Sequence, residues 1–492
     1  MTIQPSYSPS LPYLNDASKV ASVFVDCSKS AEIRDESILD AISLIIPGFF
    51  AKDKASSWAE RQGAKNSTTK FTYNSTEQKW RQTATVLPLS GGLSNALFVV
   101  TRPNNSSLVK RNDSTASGMD IPVSTIFHEE EEDKKHEELT DGSHSIPVAS
   151  AHVPSVVLVR IHFDSHDEFE SLFVDRERDI LTQCHLSRHD LAPNLYGRFE
   201  NGRVEEFYPN VTTLCWNEMA HRLYQSSIAK SMAKIHLQLV PTTAASDVVI
   251  MPSRGEIFDK VDKWFELLEH KLSLPEAHID DARIQLLDPL GRMKNEWEWL
   301  KTDLQVMNHS SSSMNLISRA TVDMATLAKS FAREIVFCHM DCQSLNILKS
   351  SDWDGVKVID FEYAGYNPRA ADIANTFCEH CNMNNLAADY ETEYPTAQQQ
   401  DAFLQVYVWE VDRGMAQLLD QRKGWEEFFG ELREEVGRHT LISHLGWAVW
   451  SVIQSMTSPI DFDFVEYAVQ RMEGYEYFKT KHWGGRAGPL PA

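Results

Sequence analysis

The chain has 492 residues, 42% hydrophobic and 24% charged, with 47 Lys+Arg against 70 Asp+Glu and a formal net charge of −23. So acidic a balance argues against nucleic acid or an anionic membrane surface as the main partner, while the length allows a large core in two to three units of roughly 150 residues. The start, Met1-Thr-Ile-Gln-Pro-Ser-Tyr, has neither a basic nor an apolar leader, and the early apolar run Ala41–Phe50 is short and broken by Pro47. No membrane insertion is therefore expected, and the seven cysteines are expected as reduced thiols in the cytoplasm.

In chain order, residues 1–84 read as an N-terminal extension with one amphipathic helical pattern near Glu36–Ile46. From Ala84 to Val100 a strand runs into a Gly91-Gly92 turn and a second strand leaves it. Such a turn exposes backbone N–H groups to phosphate oxygens, with Ser94 and Asn95 as side-chain donors. Between about 101 and 155 the composition shifts to Asn, Ser, Pro and charge, including the run His128–Glu138, and reads as a disordered insertion between two strands. Val156–His162 is a strand whose alternation sets Arg160 opposite Val159 and Ile161. Glu177 lies in the helical stretch Asp175–Ile180. Arg203-Val-Glu-Glu-Phe207 reads as a last strand and hinge, where the backbone of Glu206 and Phe207 can bond an adenine ring. Beyond it the pattern is mainly helical, with Trp264, Trp297 and Trp299 as packing residues.

The densest chemistry lies in Phe337-Cys-His-Met-Asp-Cys-Gln-Ser-Leu-Asn-Ile-Leu348 and, after an Asp354-Gly355 turn, Val358-Ile-Asp-Phe-Glu-Tyr-Ala-Gly-Tyr366. Asp341 and Asn346 fit H-x-D-x-x-x-x-N, and Asp360 ends the hydrophobic strand that follows. Kinase-like folds use this pattern for a general base and two magnesium ligands beside a nucleotide. Asp341 is the candidate base, and Asn346 and Asp360 offer the hard oxygens that Mg²⁺ prefers. His339 reads as a buried residue that orients the loop.

The continuation Asp360-Phe-Glu-Tyr-Ala-Gly-Tyr-Asn-Pro-Arg-Ala-Ala-Asp-Ile-Ala-Asn375, with Phe377-Cys-Glu379, resembles the choline/ethanolamine kinase family. So do Ile442–Gln454 and Ile460–Tyr467, and the likeness extends from about residue 85 to about 480. It implies an α+β, bilobal protein-kinase-like fold: a small antiparallel sheet lobe over 85–207 and a large, mainly helical lobe over 208–492. It also implies ATP as co-substrate with Mg²⁺ and a small amino alcohol as acceptor, at the first step of phospholipid synthesis by the cytidine-diphosphate route. A homodimer is compatible with it. By the same resemblance Gly91 and Gly92 form the phosphate loop, Arg160 is the phosphate-binding cation with Glu177 as its acidic partner, and Gln343 lies near the nucleotide. Glu379 would face the substrate ammonium, supported by Tyr363, Trp447 and Trp450, with Asp372 and Asn375 as structural supports.

Trp447 and Trp450 are three apart, so on a helix they share a face and can wall a pocket. Choline has no N–H and is best held by an aromatic box, whereas ethanolamine carries three donors and wants acceptors. Asn384 stands where choline-preferring relatives carry an aromatic residue, which favours ethanolamine, with choline as the alternative. Two rival readings stand beside this one. Cys338, His339 and Cys342, with Cys378, His380 and Cys381, offer zinc ligands, but not at zinc-finger spacing. A catalytically dead scaffold is disfavoured by the joint presence of Asp341, Asn346, Asp360 and Arg160.

Overall fold

The computed structural model describes residues 16, 20–46, 49, 81, 84–89, 95–102, 153–162, 174–241, 249, 251–274, 282–308, 319, 321–458 and 460–484. They divide into two compact units, one within Met1–Asp164 and Ser187–Thr212, the other within Ser165–Leu186 and Thr213–Ala492.

The first unit is a six-stranded sheet in the order β1-β5-β6-β4-β3-β2. Its strands are β1 (Val20–Ala21), β2 (Thr85–Leu89), β3 (Asn95–Thr101), β4 (Val156–His162), β5 (Leu195–Phe199) and β6 (Gly202–Glu206). Thr101 pairs with Val156 across an antiparallel β3–β4 ladder, so the strands flanking the acidic stretch are neighbours. The stretch itself lies outside the described residues. On β4, Val157, Val159 and Ile161 point into the core, with Arg160 on the other face, as the alternation requires.

Residues 20–46 do not stand apart as the extension expected from sequence. β1 pairs in parallel with β5, and α1 (Ala31–Ile45) buries Ile38, Ala41, Ile42 and Ile45 at helical spacing. These side chains join Phe98, Val100, Val157, Val159, Phe199 and Val204 in one hydrophobic cluster. Burying three isoleucines contributes about 5–9 kcal/mol as an upper bound. The sequence pattern showed the helix, but not the sheet that covers it. Asn201 adds a polar tie, its amide exchanging bonds of 3.0 and 2.8 Å with the Val25 backbone. Next to it a Cβ on Gly202 would lie 2.4 Å from the Arg160 carbonyl, so no larger residue fits that turn.

The second unit is mainly helical. Helix α2 (Arg176–Ser187) is tied to it by Arg176, which donates to Glu362 at 2.9 Å, and by Arg178, which donates to the Pro241 carbonyl at 3.1 Å. Then come α3 (Arg222–His236), α4 (Glu256–Ser273), α5 (Lys294–Asn308) and α6 (Met324–Arg333). Two short ladders follow: β7 (Ile335–Cys338) with β10 (Gly365–Pro368), and β8 (Ile347–Ser350) with β9 (Lys357–Val358), all antiparallel. Gly355 makes the turn between β8 and β9 at φ +85°, a backbone region that favours glycine. Helices α7 (Arg369–Cys378), α8 (Ala397–Val411), α9 (Trp425–Thr457) and α10 (Phe464–Trp483) follow, with shorter helices at Ala282–Leu287 and Arg413–Arg422. The 33-residue α9 is its spine, buried almost continuously from Leu432 to Ile453. Trp264 and Trp297 are fully buried core residues, as expected. Among the described residues no helix is long and apolar enough to cross a membrane.

Candidate active site

The end of β7 delivers His339, Met340 and Asp341 into a sharp loop, with Met340 at φ +65°. That conformation is costly for a non-glycine residue and needs outside support. Asp372, fully buried in the first turn of α7, supplies it. Its two carboxylate oxygens accept the backbone N–H groups of His339 at 2.7 Å and Met340 at 2.8 Å. His236, at the end of α3, contacts the same carboxylate at 2.9 Å and the Tyr407 hydroxyl at 2.5 Å. These bonds hold Asp372 ionised below the ordinary carboxylate range despite its burial.

His339 performs the orienting role expected of it. Its Nε2 lies 3.1 Å from the Ile359 carbonyl, and its Nδ1 lies 3.2 Å from the Asp341 N–H. Both contacts are satisfied by a neutral ring carrying its proton on Nε2, and burial depresses its pKa. The ring thus ties the Asp341 loop to the strand that precedes Asp360.

Asn346 Nδ2 donates to the Asp341 carboxylate at 2.8 Å and to the Asp341 carbonyl at 2.9 Å. This fixes the amide so that its oxygen faces away from Asp341, as a cation ligand would need. Asp360 follows at φ +67°, another position held away from ordinary backbone geometry. Burial, then the carboxylates of Glu379, Asp360 and Glu362, push Asp341 well above the usual carboxylate range, while the Asn346 bond opposes the shift. A cluster of acidic groups around an oriented amide oxygen fits a hard divalent cation such as Mg²⁺.

Beside this loop lies a set of aromatic rings. Trp447 and Trp450 share a face of α9, 5.4 Å apart and nearly perpendicular. Tyr363 stands edge-on to Trp447 at 5.0 Å and accepts a hydrogen bond of 3.0 Å from Trp450 Nε1. Trp264 backs both Tyr363 and Trp447, at 6.3 and 6.2 Å. Asn375 orients the wall, its side-chain oxygen accepting from Trp447 Nε1 at 3.0 Å and from Ser443 at 2.8 Å.

Glu379 caps the end of α7 and is nearly fully buried, but it does not stand as a lone counter-charge. Arg471, on α10, donates to it at 2.5 Å, and the same nitrogen lies 2.5 Å from the Tyr467 hydroxyl. Arg471 was missed in the sequence because nothing in the pattern of α10 distinguishes it from a surface arginine. Asn384, at the surface, donates to Gln343 at 2.8 Å, two residues after Asp341.

The nucleotide candidates of the first unit are placed less completely. Arg160 is buried and donates to Glu205 at 3.0 Å, a carboxylate that Arg203 also contacts at 3.2 Å. Glu206 accepts from the backbone and side chain of Asn194 at 3.0 and 2.8 Å, followed by the buried Phe207. Glu177 opens α2 in the other unit. Gly91, Gly92 and Ser94 lie outside the described residues, as does the side chain of Asn95 at the head of β3.

A family model for choline/ethanolamine kinases matches residues 136–476. The chain belongs to the choline/ethanolamine kinase family. Among curated relatives, ethanolamine kinase 2 of Rattus norvegicus is 32% identical over 325 residues, covering 66% of this chain and 70% of its own. A probable choline kinase 2 of Arabidopsis thaliana is 30% identical over 334 residues, covering 66% and 77%. Solved structures agree on the fold. A choline kinase from Cryptosporidium parvum aligns over 83% of this chain and 92% of its own, with TM-score 0.55 and 22% identity. A Plasmodium vivax ethanolamine kinase aligns over 82% and 85%, with TM-score 0.52 and 22% identity. The protein-kinase-like α+β fold expected from the motifs is therefore the fold of this chain.

Proposed function

We propose that this kinase transfers the γ-phosphoryl group of ATP to ethanolamine, with Asp341 as its base. The carrying observation is the Asp341–Asn346 clamp, held in place by Asp372 and set beside the aromatic wall of Tyr363, Trp447 and Trp450. In the reaction the acceptor O–H bond breaks toward the Asp341 carboxylate as the oxygen bonds to phosphorus and the bond to ADP breaks. Most of the catalysis is positioning and charge compensation. A raised pKa brings a carboxylate nearer the pH at which a base both accepts and releases a proton. Asn346 and Asp360 would hold Mg²⁺, which supplies positive charge to the ATP phosphates.

On the nucleotide side, Gln343, Arg160, Glu177, Glu206, Phe207 and the Gly91-Gly92 turn with Ser94 and Asn95 are the proposed contacts. The indole and phenol faces attract the ammonium of the acceptor by roughly 0.5–2 kcal/mol. Glu379 would meet that ammonium already partly neutralised by Arg471. Ethanolamine is favoured over choline because Asn384 offers an amide, not a ring, to the acceptor, and its bond to Gln343 keeps the amide oriented. The free cysteines suit a reducing compartment such as the cytoplasm.

The experiment is ADP release by purified protein with ATP and Mg²⁺, titrating ethanolamine and choline separately. A higher kcat/KM for ethanolamine supports the reading. A choline preference removes the Asn384 argument, and silence with both removes the amino-alcohol assignment. Asp341→Ala is expected to lower kcat by at least about a hundredfold without unfolding the protein.

A further inference from the structure

Lys260 lies on α4 one turn before Trp264, so both side chains share a face of that helix. Its ammonium donates to the Tyr363 carbonyl at 2.9 Å and also stands over the Tyr363 ring, 5.4 Å from the centroid. Tyr363 is therefore fixed at three places: its carbonyl by Lys260, its hydroxyl by Trp450, and its ring edge against Trp447. Burial pulls the Lys260 pKa down to about 8, so it is a cation at neutral pH and below, with Glu256, Glu362, Arg178 and Asp175 as its charged neighbours. Glu362 is itself engaged by Arg176 at 2.9 Å.

We propose that Lys260 is a specificity-determining residue, which engages the π system of Tyr363 with a cation of its own and so tilts the pocket away from quaternary ammonium groups. The inference rests on the amino-alcohol reading above. A ring attracts a cation through its quadrupole, and a second cation at the same ring also feels the repulsion of the first. Choline carries no N–H and depends on free aromatic faces for its hold. Ethanolamine, with three N–H donors, can recover the loss through acceptors such as the Asp341 carboxylate or the Asn384 amide oxygen. The lysine charge therefore costs choline more than ethanolamine.

The test compares kcat/KM for choline and ethanolamine in the wild type, Lys260→Gln, Lys260→Met and Lys260→Arg. Glutamine keeps a donor for the Tyr363 carbonyl and removes the charge. Methionine removes both, and arginine keeps both. The choline-to-ethanolamine ratio should rise about fivefold in K260Q and K260M, within the range spanned by cation–π energies, and stay within about twofold of wild type in K260R. An unchanged ratio in K260Q, in protein that melts as the wild type does, overturns the proposal. An equal loss of both substrates in K260Q and K260M also overturns it, since Lys260 would then only support the fold. Absence of amino-alcohol-dependent ADP release in the wild type is a different result, which removes the function proposed above.

Discussion

Replacing Asp372 with asparagine tests how the Asp341 loop is held. The carboxylate accepts two loop N–H groups, at 2.7 and 2.8 Å, and meets His236 at 2.9 Å, all in a fully buried place. Hydrogen bonds to a charged group contribute about 1.5–3 kcal/mol each, roughly twice the neutral value. Asparagine keeps the shape but offers one carbonyl oxygen, so one loop N–H must face an NH₂ group and go unbonded. An orphaned buried donor costs about 1–3 kcal/mol, and the surviving bonds lose their charge assistance. The expected destabilisation is about 3–5 kcal/mol, against a total of about 5–15 kcal/mol for a typical domain. Because Met340 depends on this anchor for its positive φ, the Asp341 carboxylate should shift, and a misplacement of about 1 Å can cost a hundredfold in rate. Denaturant unfolding monitored by tryptophan fluorescence gives the first quantity, and single-turnover ADP formation gives the second. D372N with the wild-type unfolding midpoint and kcat within about twofold of wild type would refute the claim that this carboxylate holds the loop.

Other expectations concern the acceptor side and the buried histidines. Glu379→Gln strands the guanidinium of Arg471 in the core, so it should destabilise the protein by about 3–5 kcal/mol. A purely substrate-facing carboxylate would instead raise KM and leave the unfolding midpoint in place. Asn384→Tyr should shift the ratio of specificity constants toward choline, and an unchanged ratio would count against the Asn384 argument. Burial depresses the pKa of His439 and His444 and brings His380 down to about 3. Their folded pKa values lie below the unfolded value of about 6.5, so the unfolded chain binds more protons as the pH falls below that point. Stability is then full above about pH 6.5 and declines in more acidic solution, by up to about 1.4 kcal/mol per pH unit for each group. Unfolding midpoints measured from pH 7 to 5 should show this slope, and His444→Phe should flatten it. Equal slopes in variant and wild type would exclude the histidine as its source.

The proposed catalytic residues were legible from sequence because phosphoryl transfer constrains local spacing. Asp341, Asn346 and Asp360 must sit on one loop and one strand end, and a loop keeps its order in the sequence. Trp447 and Trp450 were readable as a pair for a similar reason, since helical period alone puts them on one face. The family likeness, and with it the fold, followed from the same contiguous stretches.

Other features depend on partners far apart in the chain. The helix at Ala31–Ile45 showed its apolar face in sequence, but only the β-sheet supplies the surface that buries it and makes residues 20–46 part of the first unit. Glu379 and Arg471 are separated by 92 positions, and Lys260 and Tyr363 by 103. No periodicity relates such pairs, so whether a charge faces solvent, substrate or an opposite charge is settled by helix packing. Local spacing carried the proposed reaction chemistry, whereas packing between distant helices set the electrostatic surroundings of the residues assigned to it.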